Sequence, residues 1–366
     1  MDKTGFFTSE KCFWHGGGNY AQLVPVGGMV QPLVAGGLPE APETKRRFRN
    51  LLEVSGLLDT LTVRGSDPLT PDQMALVHGR DYLAAFKKLS DANGGELGLR
   101  TPFGPGAFEI AGISAGLVFE ALRSVLTGEL RNAYALARPP GHHCLPDWPN
   151  GFCLLNNIAL AVELVRDLGL AGRFAIIDWD VHHGNGTEAI FYNRADVLTI
   201  SVHQSHCYPF DTGEAKDTGE GRGQGTNVNI PLQPGGGHLA YLQVMDQIIL
   251  PKLQAFEADI VIVACGFDAS GVDPLSRMLC TSETFRHMTQ RLLDFTGGRL
   301  VMAHEGGYSE LHVPFCGHAV MESLSGSAIT VKDPLQSRLE VYQPSATFAA
   351  HHSQLITELA NFHLRQ

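Results

Sequence analysis

"RFAIIDWDVHHGNGT", residues 173–187, decides the fold. It opens with an unbroken apolar run and closes on acids, histidines and glycines. An alternating pattern would mark a strand wet on one face. Consecutive apolar residues suit a parallel strand covered on both faces. Four other runs read the same way: "AYALARP" (133–139), "DVLTISVH" (196–203), "ADIVIVACGFD" (258–268) and "RLVMAHEGGY" (299–308). Between them, helices are predicted over 156–169, 238–256 and 282–295, the last with Ser282 and Glu283 in capping positions. Strand alternating with helix predicts an α/β chain: a parallel, multi-stranded sheet flanked by helices. No linker divides 130–320, so 1–366 is read as a single domain. Residues 1–110 read as loop-rich, with rim loops over 27–43 and 91–106. A short amphipathic helix is expected within 330–366.

Polar residues gather at one edge of that sheet. "PPGHH", "DWDVHHGNG", "HQSHCYPF", "GFDAS" and "EGGYSE" each lie at or just past the carboxyl end of an apolar run. In open α/β sheets that edge binds ligands.

Composition sets limits. Apolar residues make up 44% and charged residues 18% of 366, enough for a sizeable core. The net charge of −11 argues against nucleic acid as a partner and is compatible with cationic substrates. Seven cysteines at wide spacing, without C-x-x-C, give no disulfide framework or zinc knuckle. No stretch approaches the ~18 apolar residues of a membrane span, and no signal peptide is read, so a cytoplasmic location is expected.

The motifs specify chemistry. In an extended segment, side chains two apart share a face, which aligns Asp178, Asp180 and His182. An Asp-x-His pair suits a metal that takes oxygen and nitrogen ligands. Asp268, an acid ending an apolar strand, supplies the third. Three protein ligands leave a position open, as catalytic zinc requires. Two carboxylates offset the charge of such an ion and mute the acidity it confers on water. A separate base is then needed. His142 and His143 end another run, and imidazole titrates near neutral pH. Tyr308 is a candidate donor to a developing oxyanion, with Gly306 and Gly307 allowing close backbone approach. Such a donor is worth roughly 10²–10³ in rate.

Taken in order, "RPPGHH", "GFCLLNN", "DWDVHHGNGT", "GFDAS…DPL" and "EGGY" resemble the zinc-dependent histone deacetylase superfamily, in particular the class II-like bacterial amidohydrolases. The likeness is clear over 133–320 and looser at 42–48 and 78–86. It implies an arginase/deacetylase-like fold and one zinc on Asp180, His182 and Asp268. It implies His143 as general base, His142 as its electrostatic partner, Asp178 behind His142, Asn185 behind His143, and Tyr308 at the transition state. Phe152 and Tyr208 match the aromatic walls of an acyl-lysine channel. The Gly151 carbonyl matches the acceptor of the substrate amide, with Leu275 and Gly306 beside the substrate. Potassium is implied twice: at Asp178, Asp180, His182 and Ser201, and at Phe191, Arg194 and Val197. Hydroxamates are expected to inhibit. Ala41 stands where the family has His. Glu96 is nearest to a rim acid, and Gly98 is a candidate for its place.

The implied activity is removal of acetyl or other acyl groups from acyl-lysine peptides or small acylated amines, with homo-oligomerisation left open. An acetylpolyamine amidohydrolase is the runner-up, although Leu275 follows Asp273-Pro274 where dedicated members carry a glutamate. A two-manganese, arginase-type site needs an acid where Ser270 stands. A non-catalytic acyl-lysine-binding scaffold would need no base.

Overall fold

The apolar runs become strands because each can bury both faces. A computed structural model of the protein describes residues 3–16, 20–21, 23–25 and 38–365. Its strands are β1 (Thr4–Phe7), β2 (Tyr20–Ala21), β3 (Val24–Pro25), β4 (Thr62–Arg64), β5 (Asn132–Ala135), β6 (Phe174–Asp178), β7 (Val197–Gln204), β8 (Asn227–Leu232), β9 (Ile260–Cys265) and β10 (Leu300–His304). Eight form one sheet in the order β4-β1-β5-β10-β9-β6-β7-β8, every neighbour parallel; β2 and β3 make a small antiparallel pair.

The sheet separates two apolar layers. On β9, Val261, Val263 and Cys265 enter one layer; Ile260, Ile262 and Ala264 enter the other. Burying a side chain of this size is worth about 1.5–3 kcal/mol. Helices 42–55, 282–296, 313–325 and 346–363 cover the first face, with the helical stretch 238–256. Helices 107–126 and 157–167 cover the second. Pro251 has no N–H for the preceding turn, and 238–256 widens to a π-turn over Met245–Ile249 just before it.

The chain order positions the site. From β5 the chain skips two places to β6, builds outward to β8, then returns to lay β9 and β10 in the gap. The carboxyl ends of β5, β10, β9, β6 and β7 therefore stand side by side. They carry the five polar segments of the sequence.

Three expectations are corrected. Residues 1–110, read as loop-rich, also carry regular structure among the described residues: β1 and β4 join the sheet, and helices occupy 42–55 and 80–91. The cap of helix 282–296 is Thr281, whose N–H donates to Thr284 Oγ1 at 3.0 Å, one residue before the expected Ser282. The expected short C-terminal helix runs 18 residues, Ala346–His363, after a shorter turn of helix at 336–341. The rim loop expected over 27–43 lies, as far as residue 37, outside the described residues. No helix among the described residues is long and apolar enough to cross a membrane.

His78 ties the first third of the chain to the loop after β5. Its Nδ1–H donates to the Pro146 carbonyl (3.1 Å), and its Nε2 accepts the Asn156 N–H (2.9 Å). Only a neutral ring can do both. Burial drives its pKa down to about 4. An unfolded histidine takes its proton near pH 6.5, so this contribution is intact above that pH and drains away as pH falls toward 4. Up to about 3 kcal/mol is at stake. Thermal unfolding across that window is expected to show the decline, with a flatter profile for His78→Gln.

Candidate active site

β6 ends at Asp178, and the next residues keep its alternation. Trp179 and Val181 are buried in the apolar layer, while Asp178, Asp180 and His182 project the other way. His182 Nδ1 lies 3.0 Å from Asp180 Oδ1 and 2.9 Å from Asp268 Oδ2. Ligand atoms from these three residues all fall within 4.8 Å of one another. The carboxylates are anchored from behind: Asp180 Oδ2 accepts the Gly306 N–H (2.7 Å), and Asp268 Oδ1 accepts the Val181 N–H (2.8 Å).

One imidazole nitrogen has at most one proton, which the two carboxylates would have to share. Both acids are completely buried. Burial, and then the charge of Asp180, push Asp268 up to about 6. Two carboxylates and an imidazole converging in this way could hold a divalent cation and leave it a position open. Gly306 is part of that cradle. A Cβ there would lie 2.3 Å from Asp268 Oδ2 and 2.5 Å from Asp180 Oδ2. Gly306→Ala is expected to cut metal affinity by roughly 10–100-fold, the usual effect of disturbing a ligand's support, read by metal titration.

The paired histidines come from the turn after β5. Their ring centroids are 3.9 Å apart. His142 Nδ1 bonds Asp178 Oδ2 (2.9 Å) and His143 Nδ1 bonds Asn185 Oδ1 (2.8 Å). The partners split the pair. Burial alone would discharge His142, but Asp180 and Asp178 outweigh it and raise its pKa to about 10. Burial, then the charges of His142 and His182, hold His143 well below the usual histidine range. One ring is a cation and its neighbour a free base, the division that acid/base work requires.

A cavity of about 140 Å³ opens above them, with Phe152, Tyr208, Leu275 and Tyr308 in its wall and His143 and His182 at its base. Phe152 sits in the left-handed region at φ 69°, a strain of about 1–3 kcal/mol. Its neighbour Gly151, at φ 51°, passes so close to His143 that a Cβ would lie 2.4 Å from the ring. The Tyr208 hydroxyl donates to Asn150 Oδ1. Burial, then Asp180 and Asp268, raise the Tyr308 phenol well above its ordinary pKa, so it keeps its proton. Asp273 fixes the Tyr308 backbone by accepting its N–H (2.8 Å). Gly306, expected beside the substrate, instead lies behind the carboxylates and does not line this cavity. Glu96, expected nearest to a rim acid, accepts the Thr101 N–H through Oε1 (3.0 Å) and is not in the cavity wall either. A larger groove of about 750 Å³ between 238–247 and 343–353 shares no residue with the cavity and gathers no such set of groups.

The histone deacetylase domain pattern matches residues 38–324. The chain is 53% identical over 362 residues to a histone deacetylase-like amidohydrolase of Pseudomonas aeruginosa, covering 98% of this chain and 95% of that one. The chain belongs to the histone deacetylase family. A probable deacetylase of Archaeoglobus fulgidus is 34% identical over 329 residues, 87% of this chain and 89% of that protein. The solved HD domain of HDA15 matches with a TM-score of 0.85 and 31% identity over 100% of this chain and 95% of its own. The eight-stranded parallel sheet with helices on both faces is thus the deacetylase fold.

Of the residues that the sequence resemblance matched to potassium, Asp180 and His182 belong to the central cluster. Asp178 and Ser201 are register partners on β6 and β7, and the Ser201 hydroxyl bonds His203 Nδ1 (2.9 Å). Phe191, Arg194 and Val197 follow one another from helix 185–191 into β7; the Arg194 carbonyl accepts Thr226 Oγ1 (3.0 Å). His183 bonds Thr212 and Glu188. His312 bridges Ser270 (2.6 Å) and Asp333 (2.8 Å), so Ser270 is engaged in a buried network at the position where a second metal would need an acid.

Two features escaped sequence reasoning. Glu305 Oε2 accepts the N–H groups of Gly141 (2.6 Å) and His142 (3.1 Å), bracing the histidine turn from β10. The signal was present: like Asp268, it is an acid ending an apolar strand. Arg138 and Lys45 both pair with Glu40 (3.0 and 3.1 Å), and Lys45 Nζ lies 5.9 Å from the Tyr308 ring centroid. Long range in sequence hid that cluster. Ala41, in place of the family's His, precedes helix 42–55 without a side-chain cap.

Proposed function

We propose that the protein is a zinc-dependent amidohydrolase that removes acetyl or related acyl groups from the side-chain amine of acyl-lysine. The observation that carries this reading is the juxtaposition, at the base of a narrow aromatic cavity, of an Asp-His-Asp donor set, a split histidine pair and a protonated phenol. Asp180, His182 and Asp268 would hold the ion. Bound zinc supplies Lewis acidity to water and to the acyl carbonyl.

The chain's own groups do the rest. Phe152 and Tyr208 flank the acyl-lysine stem, and the Gly151 carbonyl accepts the amide N–H. Tyr308 donates its phenolic hydrogen to the carbonyl oxygen as negative charge builds there. His143, neutral and oriented by Asn185, takes the proton from the attacking water. The resulting imidazolium returns a proton to the departing amine, while His142, held by Asp178, balances charge. Asp178 and Ser201, and the Phe191–Val197 turn, are assigned to potassium. The seven free cysteines, six of them buried, suit a reducing, cytoplasmic compartment. All of 1–366 is read as one catalytic domain, and hydroxamates, as bidentate chelators, should inhibit.

A fluorogenic acetyl-lysine peptide tests the reading. Turnover is expected with zinc-loaded protein, and Tyr308→Phe should lower kcat by roughly 10²–10³. Zinc binding without turnover of any acyl-lysine or acylpolyamine would leave the scaffold reading in its place.

A further inference from the structure

Arg100 stands where nothing about folding asks for an arginine. Its backbone is left-handed, at φ 58°, a conformation that glycine or asparagine adopts more cheaply. The strand-like segment around it is pinned to the cavity wall: Leu99 O accepts the Gly151 N–H and Arg100 O the Phe152 N–H, both at 3.0 Å. Gly98 sits so tightly on this wall that a Cβ would lie 1.8 Å from the Pro149 carbonyl. The side chain is thereby delivered to the cavity, where it stacks over the Tyr208 ring at 5.2 Å from its centroid. Stacking leaves the N–H edge of a guanidinium free. Among the described residues, Arg100 forms no ion pair, and its guanidinium contact is the Tyr208 ring.

The electrostatics of the mouth follow. Neighbouring wall residues Leu23, Phe152, Tyr208, Phe210 and Leu275 are uncharged. At the base, the charge of a divalent ion would be offset by Asp180 and Asp268. Among the described residues lining the mouth, Arg100 is then the charged one. The chain as a whole is acidic, at −11, which favours cations at a distance. At physiological salt that pull is screened beyond about 8 Å, so a charge at the mouth outweighs it for a group arriving there.

Resting on the deacylase reading above, we propose that Arg100 is a specificity residue: it favours acyl-lysines that carry a carboxylate beside the lysine on the peptide side and disfavours acylated polyamines. With the acyl-lysine stem between Phe152 and Tyr208, the remainder of the substrate leaves the cavity past the guanidinium. A neighbouring Asp or Glu side chain meets its free N–H edge. The remaining ammonium groups of an acylpolyamine meet like charge.

The test is kcat/KM, at low and high ionic strength, on three acetyl-lysine peptides that differ only in the residue after lysine (Asp, Asn or Lys), with N-acetylspermidine as a fourth substrate. The Asp peptide is expected to exceed the Lys peptide by about tenfold at low salt, with N-acetylspermidine poorer still, and added salt should narrow the gap. Arg100→Asn, which tolerates the left-handed backbone, should level the series; Arg100→Lys should preserve it; Arg100→Glu should invert it. A flat series in the wild type, or an order that survives in Arg100→Asn, overturns the assignment while leaving the deacylase reading intact. No turnover of any of the four overturns both.

Discussion

Asp268→Asn is expected to empty the metal site and, in metal-free protein, to stabilise the fold. Bound divalent metal should fall to near zero, and kcat/KM by about 10³, since a polarising ion would supply several kcal/mol of the barrier reduction. The stability effect has the opposite sign to the activity effect. In the absence of a cation, Asp180 and Asp268 are two buried carboxylates facing one imidazole nitrogen. Burial and Asp180 hold Asp268 at about 6, above its unfolded value of 3.8. A group raised in this way contributes fully below the unfolded pKa and loses its contribution as pH rises through the folded one. Stripped wild type should therefore lose stability between roughly pH 4 and 6, a loss that the neutral carboxamide of Asp268→Asn avoids. Adding zinc at pH 7 should reverse the ranking. Thermal unfolding of both proteins with and without chelator reads all four states. If chelated wild type is as stable as chelated Asp268→Asn, the strain assigned to the paired carboxylates is absent.

His143→Ala should lower kcat by roughly 10²–10⁴, the range of a positioned general base. The environment makes His143 the stronger candidate of the pair: it is the ring kept neutral by burial and by the charges around it, whereas His142 is held as a cation by Asp180 and Asp178. Asn185→Asp sharpens the assignment. A carboxylate 2.8 Å from Nδ1 would favour the imidazolium, so the base would stay protonated to higher pH. The acid limb of the kcat/KM profile should move upward. A limb that does not shift would assign the proton transfer elsewhere.

The sheet was legible where the sequence is apolar without alternation. The run predicted over 258–268 contains β9 at Ile260–Cys265, and that over 299–308 contains β10 at Leu300–His304. The site was legible for a related reason: an acid or histidine at the end of such a run has no place in a core, so Asp268 and His143 advertise themselves. Glu305 carries the same signal, masked by Tyr308 in the same motif. The N-terminal third is harder to read for physical reasons. "TGFF" is too short to show a period. Helix 107–126 buries 14 of its 20 residues, so it lacks the polar face that marks an amphipathic helix. In helix 42–55 the buried apolar residues are Phe48 and Leu52, set among charges, a stripe too narrow to stand out from a loop. Arg100 could not be found from sequence, because its importance lies in a backbone conformation and a facing ring.

The two strands made last, β9 and β10, act as the keystone of the arch. In the finished sheet, the strands that precede them in sequence lie in two separate blocks, β4-β1-β5 and β6-β7-β8, each with an inner edge that β9 or β10 covers. A nascent chain emerging from the ribosome has neither Asp268 nor Tyr308 and must keep those edges from foreign strands until about three hundred residues are out. Closing them requires contacts far apart in sequence, which makes folding slow. A product cut short before β10 lacks the strand that joins the two blocks, and with it the Gly306 N–H that anchors Asp180.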